Sequence, residues 1–343
     1  MPPASPADGR LRRQQLAAPR FTKAEHLVHW MGAVQAQDYA GALWAIGLRL
    51  RGGATEADIE STVAARKIVR TWPMRGTLHF VAAADVHWML ALLTPRVIAR
   101  SAGRYRELEL EDRDFGRSGD VLMRALEGGR ALTRREAYAT IERGGVSTAG
   151  QRGIHIVGHL AQKGLLCFGP RRGKQPTFVR LDEWVPAGKA MPRDHALAAL
   201  AQRYVDSHGP VTVQDFAWWS GLLMKDAQAG MDAVRERRPA GAGARPGVAA
   251  LLPTWDEYLV AYKDREAATS RLPAPRKASV FTPLVIVDGT VRGAWRRTLS
   301  AKSVRVHLDF WVTVTQAERR AVEREVERYG RFVRRTVEIS RER

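Results

Sequence analysis

The stretch LLCFGPRRGKQPTFVRL, residues 165–181, decides the fold. It predicts two short strands around a loop of glycine, proline and basic residues. Three helices are predicted before it, over 118–127, over 133–141 with Thr133 as the N-cap, and over 151–163. Three helices followed by a basic, two-stranded wing are the winged-helix variant of the helix-turn-helix, which is a DNA-binding arrangement.

The preceding part of the chain shows the same order less clearly. Apolar spacing predicts a helix over 23–37, and Thr55 is placed to cap a second helix over 56–66. The segment IVRTWPMRGTLHF, residues 68–80, is rich in β-formers around proline and glycine. A helix followed by a hairpin indicates another winged helix.

After the central stretch, a third similar unit begins near Asp194, with helices predicted over 197–207 and 213–219. The Gly/Pro/Arg-rich residues 235–247 predict a linker. The C-terminal part is predicted to contain two strands joined by an Asp-Gly turn and a closing helix: 280–287, 291–295 and 315–333.

These patterns predict a mainly α-helical α+β fold with small β-sheets, made of tandem winged-helix motifs and a β-rich C-terminal part. The predicted parts are an N-terminal winged-helix unit over 1–115, a second winged helix over 116–190, a third winged-helix-like unit with its linker over 191–247, and a β-rich part with a closing helix over 248–343.

The charge of the chain indicates a polyanionic partner. Its 343 residues include 55 Lys and Arg against 36 Asp and Glu, which gives a formal net charge of +19. Such a surplus concentrates polyanions near the protein, and nucleic acid is the first of these. No apolar stretch is long enough to span a membrane, and the N-terminus lacks the apolar core of a signal peptide. We therefore expect a cytoplasmic, nucleoid-associated protein without a membrane partner.

Metal and cofactor chemistry find little support in the sequence. Cys167 is the single cysteine and lies in an apolar run, which predicts a buried structural thiol. His155 and His159 are spaced like a zinc pair, but no third ligand lies nearby, so we favour a solvated helix face that reaches phosphate. Phosphate-binding, dinucleotide, α/β-hydrolase and zinc-protease signatures are all absent. The sequence therefore predicts no metal and no cofactor.

Five runs of the chain, taken together and in order, resemble the AlkZ-type winged-helix DNA glycosylases. The runs are LRRQQL (11–16), HWMGAVQAQDYAGALWAIGLRL (29–50), IVRTWPMRGTLHFVAAADVHWML (68–90), LLPTWDEYLVAYKDR (251–265) and FTPLVIVDGTVRGAWRR (281–297). The resemblance implies tandem winged helices around a DNA channel and excision of N7-alkylated purines, with unhooking of interstrand crosslinks in some members. It also implies that the hairpin over 284–297 probes the duplex.

The same resemblance implies that Gln35 and Gln37 are catalytic and position a water near the anomeric carbon of the damaged nucleotide. A related branch carries Asp at the second polar position, where this chain has Gln37. Asp38 is either the base or an electrostatic support, or it has a structural role in a cap or turn, and we favour the structural role. An N7-alkylpurine already carries positive charge and departs neutral, so an amide that orients water can suffice. With no lysine beside the motif, the predicted enzyme is a monofunctional hydrolase.

Basic residues of the predicted hairpins are the expected DNA contacts, since charge neutralisation dominates DNA affinity. They are Arg75 in the first hairpin, Arg171, Arg172 and Lys174 in the second wing, and Arg292, Arg296 and Arg297 in the C-terminal hairpin. Solvated arginines remain an equal interpretation for the first hairpin. The predicted partner is double-stranded DNA carrying alkylated purines, and no obligate protein partner is predicted.

Two other functions compete with this one. Asp256 and Glu257, with Lys263 nearby, invite a magnesium-dependent nuclease, but an ion-paired structural motif is favoured because the required residue order is missing. The second alternative is a non-enzymatic winged-helix regulator, which would leave the glutamines as ordinary surface residues.

Overall fold

A computed structural model describes residues 5–188, 190–234, 247–273 and 278–341. Except for Gly247, the predicted linker at 235–247 lies outside the described residues. The first elements are α1 (Pro6–Arg13), α2 (Ala24–Met31), β1 (Val34–Gln35), α3 (Tyr39–Gly47), α4 (Glu56–Ala64), β2 (Ile68–Met74), β3 (Thr77–Ala82) and α5 (Val86–Glu107). The next are α6 (Asp112–Leu126), β4 (Leu132–Thr133), α7 (Arg134–Arg143), α8 (Arg152–Gln162), β5 (Leu166–Arg172), β6 (Gln175–Arg180) and α9 (Leu181–Trp184).

The remaining elements are α10 (Arg193–His208), α11 (Val213–Ser220), α12 (Met224–Asp232), β7 (Ala249–Leu252), α13 (Glu257–Val260), α14 (Glu266–Thr269), β8 (Leu284–Val287), β9 (Thr290–Leu299), β10 (Ser303–Phe310), α15 (Gln316–Val333) and β11 (Thr336–Arg341). The α+β class is confirmed. Among the described residues, none of the helices combines the length and the apolar character that crossing a membrane requires.

Two segments repeat one order of elements: helix, short strand, two helices, and a two-stranded wing. The first runs from α2 to β3 and the second from α6 to β6, and in both the short strand pairs with the last strand of the wing. The wings meet where Arg70 on β2 pairs with Phe168 on β5. The result is one six-stranded sheet in the order β1-β3-β2-β5-β6-β4.

Local sequence signals explain where several of these helices begin. Thr55 and Thr133 each accept a hydrogen bond from the backbone three residues on, and the acidic residues Asp58 and Glu136 bond back to close the predicted capping boxes. Thr315 does the same for α15. These three helix starts are therefore determined by local sequence, since each capping box joins residues only three positions apart.

The helix predicted over 23–37 is wrong in its second half. Helix α2 ends at Met31 because Gly32 adopts a φ of 77°, where the Trp219 ring lies 3.2 Å from the position a Cβ would take. The chain then enters β1. Gln35 therefore lies on a strand and not on a helix.

A second sheet, in the order β11-β10-β9-β8-β7, packs against the first unit. The predicted Asp288-Gly289 turn joins β8 to β9, with φ angles of 48° and 75° that are typical of a type I′ hairpin. The indole N–H of Trp44 on α3 donates to the carbonyl of Leu251 on β7 at 2.6 Å. The predicted parts over 1–115 and 248–343 thus share one hydrophobic core.

Candidate active site and DNA-facing surface

The two glutamines of the motif lie at the exit of β1. Gln35 pairs with His79 across the sheet and is only 9% exposed, whereas Gln37 is exposed in the bend before α3. The side-chain oxygen of Gln37 accepts a hydrogen bond from the Leu78 amide at 3.3 Å. The side-chain oxygen of Gln35 is buried and has no hydrogen-bond partner among the described residues. A buried acceptor of this kind is a place where a polar ligand binds with gain.

Two charged side chains hold the backbone of the motif from opposite sides. One oxygen of the Glu257 carboxylate accepts a hydrogen bond from the backbone N–H of Gln35 at 2.8 Å. The other oxygen accepts from the indole N–H of Trp219 at 3.0 Å. The Arg70 guanidinium donates twice to the Ala36 carbonyl, at 3.1 and 2.8 Å. Both side chains are at least nine-tenths buried. Sequence reasoning missed these two roles because no local pattern links either residue to the motif.

The two buried ionisable groups next to Gln35, His79 and Glu257, both have a pKa below the usual value. Burial, followed by the charge of Arg75, lowers the pKa of His79 to about 4, so its ring is neutral at neutral pH. Its Nδ1–H donates to the Thr77 carbonyl at 3.0 Å while Nε2 faces Arg75 at 3.3 Å. Burial raises the pKa of Glu257, but the contact with His208 and the nearby positive charges outweigh it and hold that pKa below its usual value.

Asp38 follows the motif at the N-cap position of α3, but its side chain makes no capping hydrogen bond. The capping part of the favoured interpretation is therefore wrong, whereas a structural role in the turn stays a prediction. Instead the carboxylate is partly exposed and lies 3.9 Å from the Arg297 guanidinium on β9. A carboxylate at this place is available to stabilise positive charge beside the glutamines.

A cleft of about 360 Å³ opens between the two wings, directly beside Asp38. Its walls carry two aromatic rings and four cationic side chains against one carboxylate. The charged and aromatic residues of the lining are Asp38, Tyr39, Arg70, Arg134, Phe168, Arg171 and Lys174. The motif, the cleft and Arg297 are thus brought together by the first unit, the second wing and the C-terminal sheet.

Some of the predicted DNA contacts lie on this surface. Lys174 is exposed at the cleft, and Arg296 is exposed on β9. Arg171 also lines the cleft, although Glu60 pairs with it at 3.2 Å. Arg297 faces Asp38. These four residues remain proposed contacts.

Three of the predicted contacts are directed elsewhere. Arg292 is only 2% exposed and pairs with Glu318 at 2.8 Å, so it cannot reach a phosphate and the prediction is wrong. Arg75 is half-buried and donates to the Trp219 carbonyl at 2.6 Å, away from the cleft, so its contact with DNA stays a prediction. Arg172 does not line the cleft, and its guanidinium is engaged by Glu136 at 2.8 Å.

The hairpin over 284–297 cannot probe DNA with its Asp288-Gly289 turn. A Cβ at Gly289 would lie 2.7 Å from the Tyr258 hydroxyl and 2.8 Å from the Ala7 Cβ, so the turn is covered by α1 and α13. The exposed tip belongs to the next hairpin, between β9 and β10, where Leu299 is 51% exposed. The predicted probing turn is therefore wrong.

Three further predictions are decided by the burial and contacts of Asp256, His159 and Cys167. The buried Arg49–Asp256 pair, at 2.6 Å, confirms the ion-paired structural motif. His159 stacks on Phe115 with ring centroids 3.9 Å apart and packs against α5 and α6, so the predicted solvated, phosphate-reaching face is wrong. Cys167 is buried, as predicted.

The basic scaffold of repeated winged-helix order, with a polar motif beside a cationic cleft, defines a protein that acts on DNA. The sequence profile of the family described as "DNA glycosylase AlkZ-like" matches residues 28–332. This chain belongs to the AlkZ-like DNA glycosylase family and is a DNA glycosylase. Family membership decides against the non-enzymatic regulator.

Two comparisons with individual proteins agree with this assignment. The interstrand DNA cross-link repair glycosylase of Streptomyces sahachiroi is 26% identical over 322 residues, which cover 83% of this chain and 85% of that protein. The solved structure of the DNA glycosylase AlkZ from Streptomyces sahachiroi superposes with a TM-score of 0.75 at 23% identity and covers 97% of this chain and 98% of that one. The second similarity establishes the fold.

Proposed function

We propose that this glycosylase excises cationic N7-alkylated purines from double-stranded DNA and that Gln35 and Gln37 orient the attacking water. The observation that carries the proposal is the buried side-chain oxygen of Gln35, which has no hydrogen-bond partner among the described residues and lies next to the exposed side-chain amide of Gln37. An amide oxygen accepts a hydrogen from water and so directs a lone pair of that water at its target.

The chemistry follows from the charge of the substrate. When the C1′–N9 bond breaks, its electron pair passes to the base, which neutralises the alkylpurine and leaves a cationic sugar. Asp38 stabilises that oxocarbenium-like sugar because its carboxylate lies beside the motif. Water then adds to C1′ and releases a proton to solvent, which leaves an abasic site. Normal purines remain because no acid in this site protonates a neutral leaving base.

The test uses a duplex with a single N7-methylguanine, with alkali to convert abasic sites into strand breaks. We expect single-turnover excision by the wild type and background depurination with the Gln35→Ala/Gln37→Ala variant. The matched control is Gln175→Ala, an exposed glutamine of the second wing, which should excise at the wild-type rate. Full activity of the double variant would exclude these glutamines from catalysis.

Interstrand crosslinks are a second proposed substrate. The observation that favours them is the name and activity class of the Streptomyces sahachiroi relative, which is an interstrand DNA cross-link repair glycosylase. The same assay with a duplex joined through two N7-alkylguanines separates the alternatives. Unhooked strands on a denaturing gel support the wider substrate range, whereas excision of N7-methylguanine alone restricts the enzyme to small adducts.

A further inference from the structure

We infer that the cleft between the two wings is a phosphodiester-binding subsite, which holds the backbone phosphate next to the damaged nucleotide through Arg70, Arg134 and Lys174. The inference rests on the proposed function only for the position of the damaged nucleotide. The binding of phosphate by the cleft is independent of it.

Arg70 at the wall of the cleft is a buried cation without an ion-pair partner. It is 8% exposed, and no carboxylate oxygen of the described residues lies within 4.0 Å of its guanidinium. The carbonyl of Ala36 is the acceptor of two of its N–H groups. Buried charges are ordinarily paired, since an unpaired one carries a large desolvation penalty. Burial lowers the pKa of Arg70 to about 10, so it stays charged at neutral pH and favours an anionic ligand.

The rim of the cleft adds positive charge that no described carboxylate neutralises. Arg134 and Lys174 line the cleft, are exposed and form no ion pair with the described residues. Arg171 is the exception, because Glu60 lies 3.2 Å away. Three cations without an ion pair among the described residues outweigh the single carboxylate of Asp38 in the cleft wall, so the cleft repels a cationic alkylpurine and attracts a phosphodiester. The cleft is therefore suited to the DNA backbone and not to the damaged base.

Arg70 also links this subsite to the motif. One edge of its guanidinium holds the Ala36 carbonyl, which lies between the two glutamines. Its plane is held over the rings of Tyr39 at 5.3 Å and Phe168 at 4.7 Å. A phosphate bound by the same guanidinium is thereby placed at a fixed distance from Gln37. Phosphate contacts of this kind set the register of a protein on the duplex.

The experiment measures binding, so it does not depend on excision. Wild type, Arg134→Ala and Lys174→Ala are titrated with a duplex that carries an uncharged tetrahydrofuran abasic analogue, at several salt concentrations. Each variant should lower the slope of log affinity against log salt by up to about 0.9, the value for complete loss of one phosphate contact. The matched control is Arg172→Ala, which lies two positions from Lys174 but is engaged by Glu136 outside the cleft. It should keep the wild-type slope.

A single phosphate replaced by a neutral methylphosphonate locates the contact. Substitution at one position beside the analogue should weaken binding by the wild type and leave binding by Arg134→Ala or Lys174→Ala unchanged. Arg70→Lys should keep the salt slope and lower the excision rate, whereas Arg70→Met should lower both. Wild-type slopes for Arg134→Ala and Lys174→Ala, or an equal loss in Arg172→Ala, would overturn the subsite. If no variant and not even the wild type excises the damaged base while the salt slopes change as expected, the phosphate-binding subsite is still supported, because the slopes report binding and not catalysis.

Discussion

The two repeated units that share the first sheet, α2 to β3 and α6 to β6, differ at one junction. In the second unit, Thr133 is both the last residue of β4 and the N-cap of α7, and its capping box with Glu136 closes the helix start. In the first unit, Gln35 ends β1, and the N-cap Asp38 follows only after Ala36 and Gln37. The register supports the match, because Val34 pairs with Phe80 as Leu132 pairs with Phe178. In the second unit the strand passes directly into the helix cap, whereas in the first unit Ala36 and Gln37 are inserted between the strand and the cap position.

This difference teaches how a DNA-binding scaffold acquires a chemical site. At the second junction, the side chains of Thr133 and Glu136, three positions apart, form hydrogen bonds with each other and with each other's backbone. This junction is therefore stabilised locally, and its polar side chains are already hydrogen-bonded. The first junction leaves an amide oxygen and a carboxylate without local partners. Its backbone is held instead by Glu257 and Arg70 from other parts of the chain. Functional positions commonly break the local rule and depend on distant support.

The largest effect is expected when that distant support is broken. In Glu257→Gln the new side chain has only one acceptor oxygen, whereas two donors need one: the backbone N–H of Gln35 and the indole N–H of Trp219. One of the two hydrogen bonds is lost, so the motif shifts. A displacement on the order of 1 Å lowers a rate by about 100-fold, and we expect a loss of that size in single-turnover excision with unchanged duplex affinity. The control is Asp256→Asn, a neighbouring buried carboxylate that binds Arg49 and not the motif. Equal losses per folded molecule in both variants would contradict a positioning role.

An intermediate effect of pH on the stability of the folded protein is expected from His79. This buried histidine pairs with Gln35 across the first sheet, at the position that Thr177 takes opposite Thr133 in the second unit. The pKa of His79 is about 4 in the folded protein and about 6.5 when unfolded, so the unfolded state binds more protons between these values. Stability is full above the unfolded value and falls as pH drops towards 4, by about 2 kcal/mol between pH 7 and 5.

Chemical denaturation over this pH range measures the effect. His79→Gln, which keeps a donor for Thr77 and an acceptor for Arg75, should flatten the dependence by that amount. The part that remains comes from groups such as His208, whose pKa is lowered by burial in the same direction. An unaltered slope in His79→Gln would show that this histidine does not couple the first junction to pH.

The smallest effect is expected at the second junction. Thr133→Ala removes the capping box and should lower the free energy of unfolding by about 1 kcal/mol, with excision per folded molecule unchanged. Thr55→Ala makes the same change at α4 of the first unit and serves as the matched comparison. If Thr133→Ala slows excision as much as Glu257→Gln, the two junctions are not separated in the way that the contacts indicate.

Much of the architecture could be predicted from the sequence, because its signals are local. The capping boxes at Thr55, Thr133 and Thr315 and the turn at Asp288-Gly289 all depend on residues within three positions of one another. The helix α3 was not predicted, since it is apolar on nearly every side and shows no period. The end of α2 at Gly32 was also missed, because the ring that closes against it comes from Trp219.

The site was only partly predictable for the same reason. The motif and its place in the chain come from the sequence, and so does the positive charge that favours DNA. The sequence could not rank the arginines, because all of them look alike until the fold gives each its surroundings. Arg292 is buried against Glu318, and Arg75 donates to the Trp219 carbonyl. Arg70 lines the cleft and forms no ion pair with the described residues.

By itself, then, the sequence determined most of the order of helices and strands, the caps at Thr55 and Thr133, the basic character and the glutamine motif, since each follows from neighbouring residues. Only the tertiary structure decided how the two wings join through Arg70 and Phe168, and which groups hold the motif. The contact between Gln35 and Glu257 spans 222 positions of the chain. Such a contact is fixed by the packing of whole units, and no local spacing encodes it.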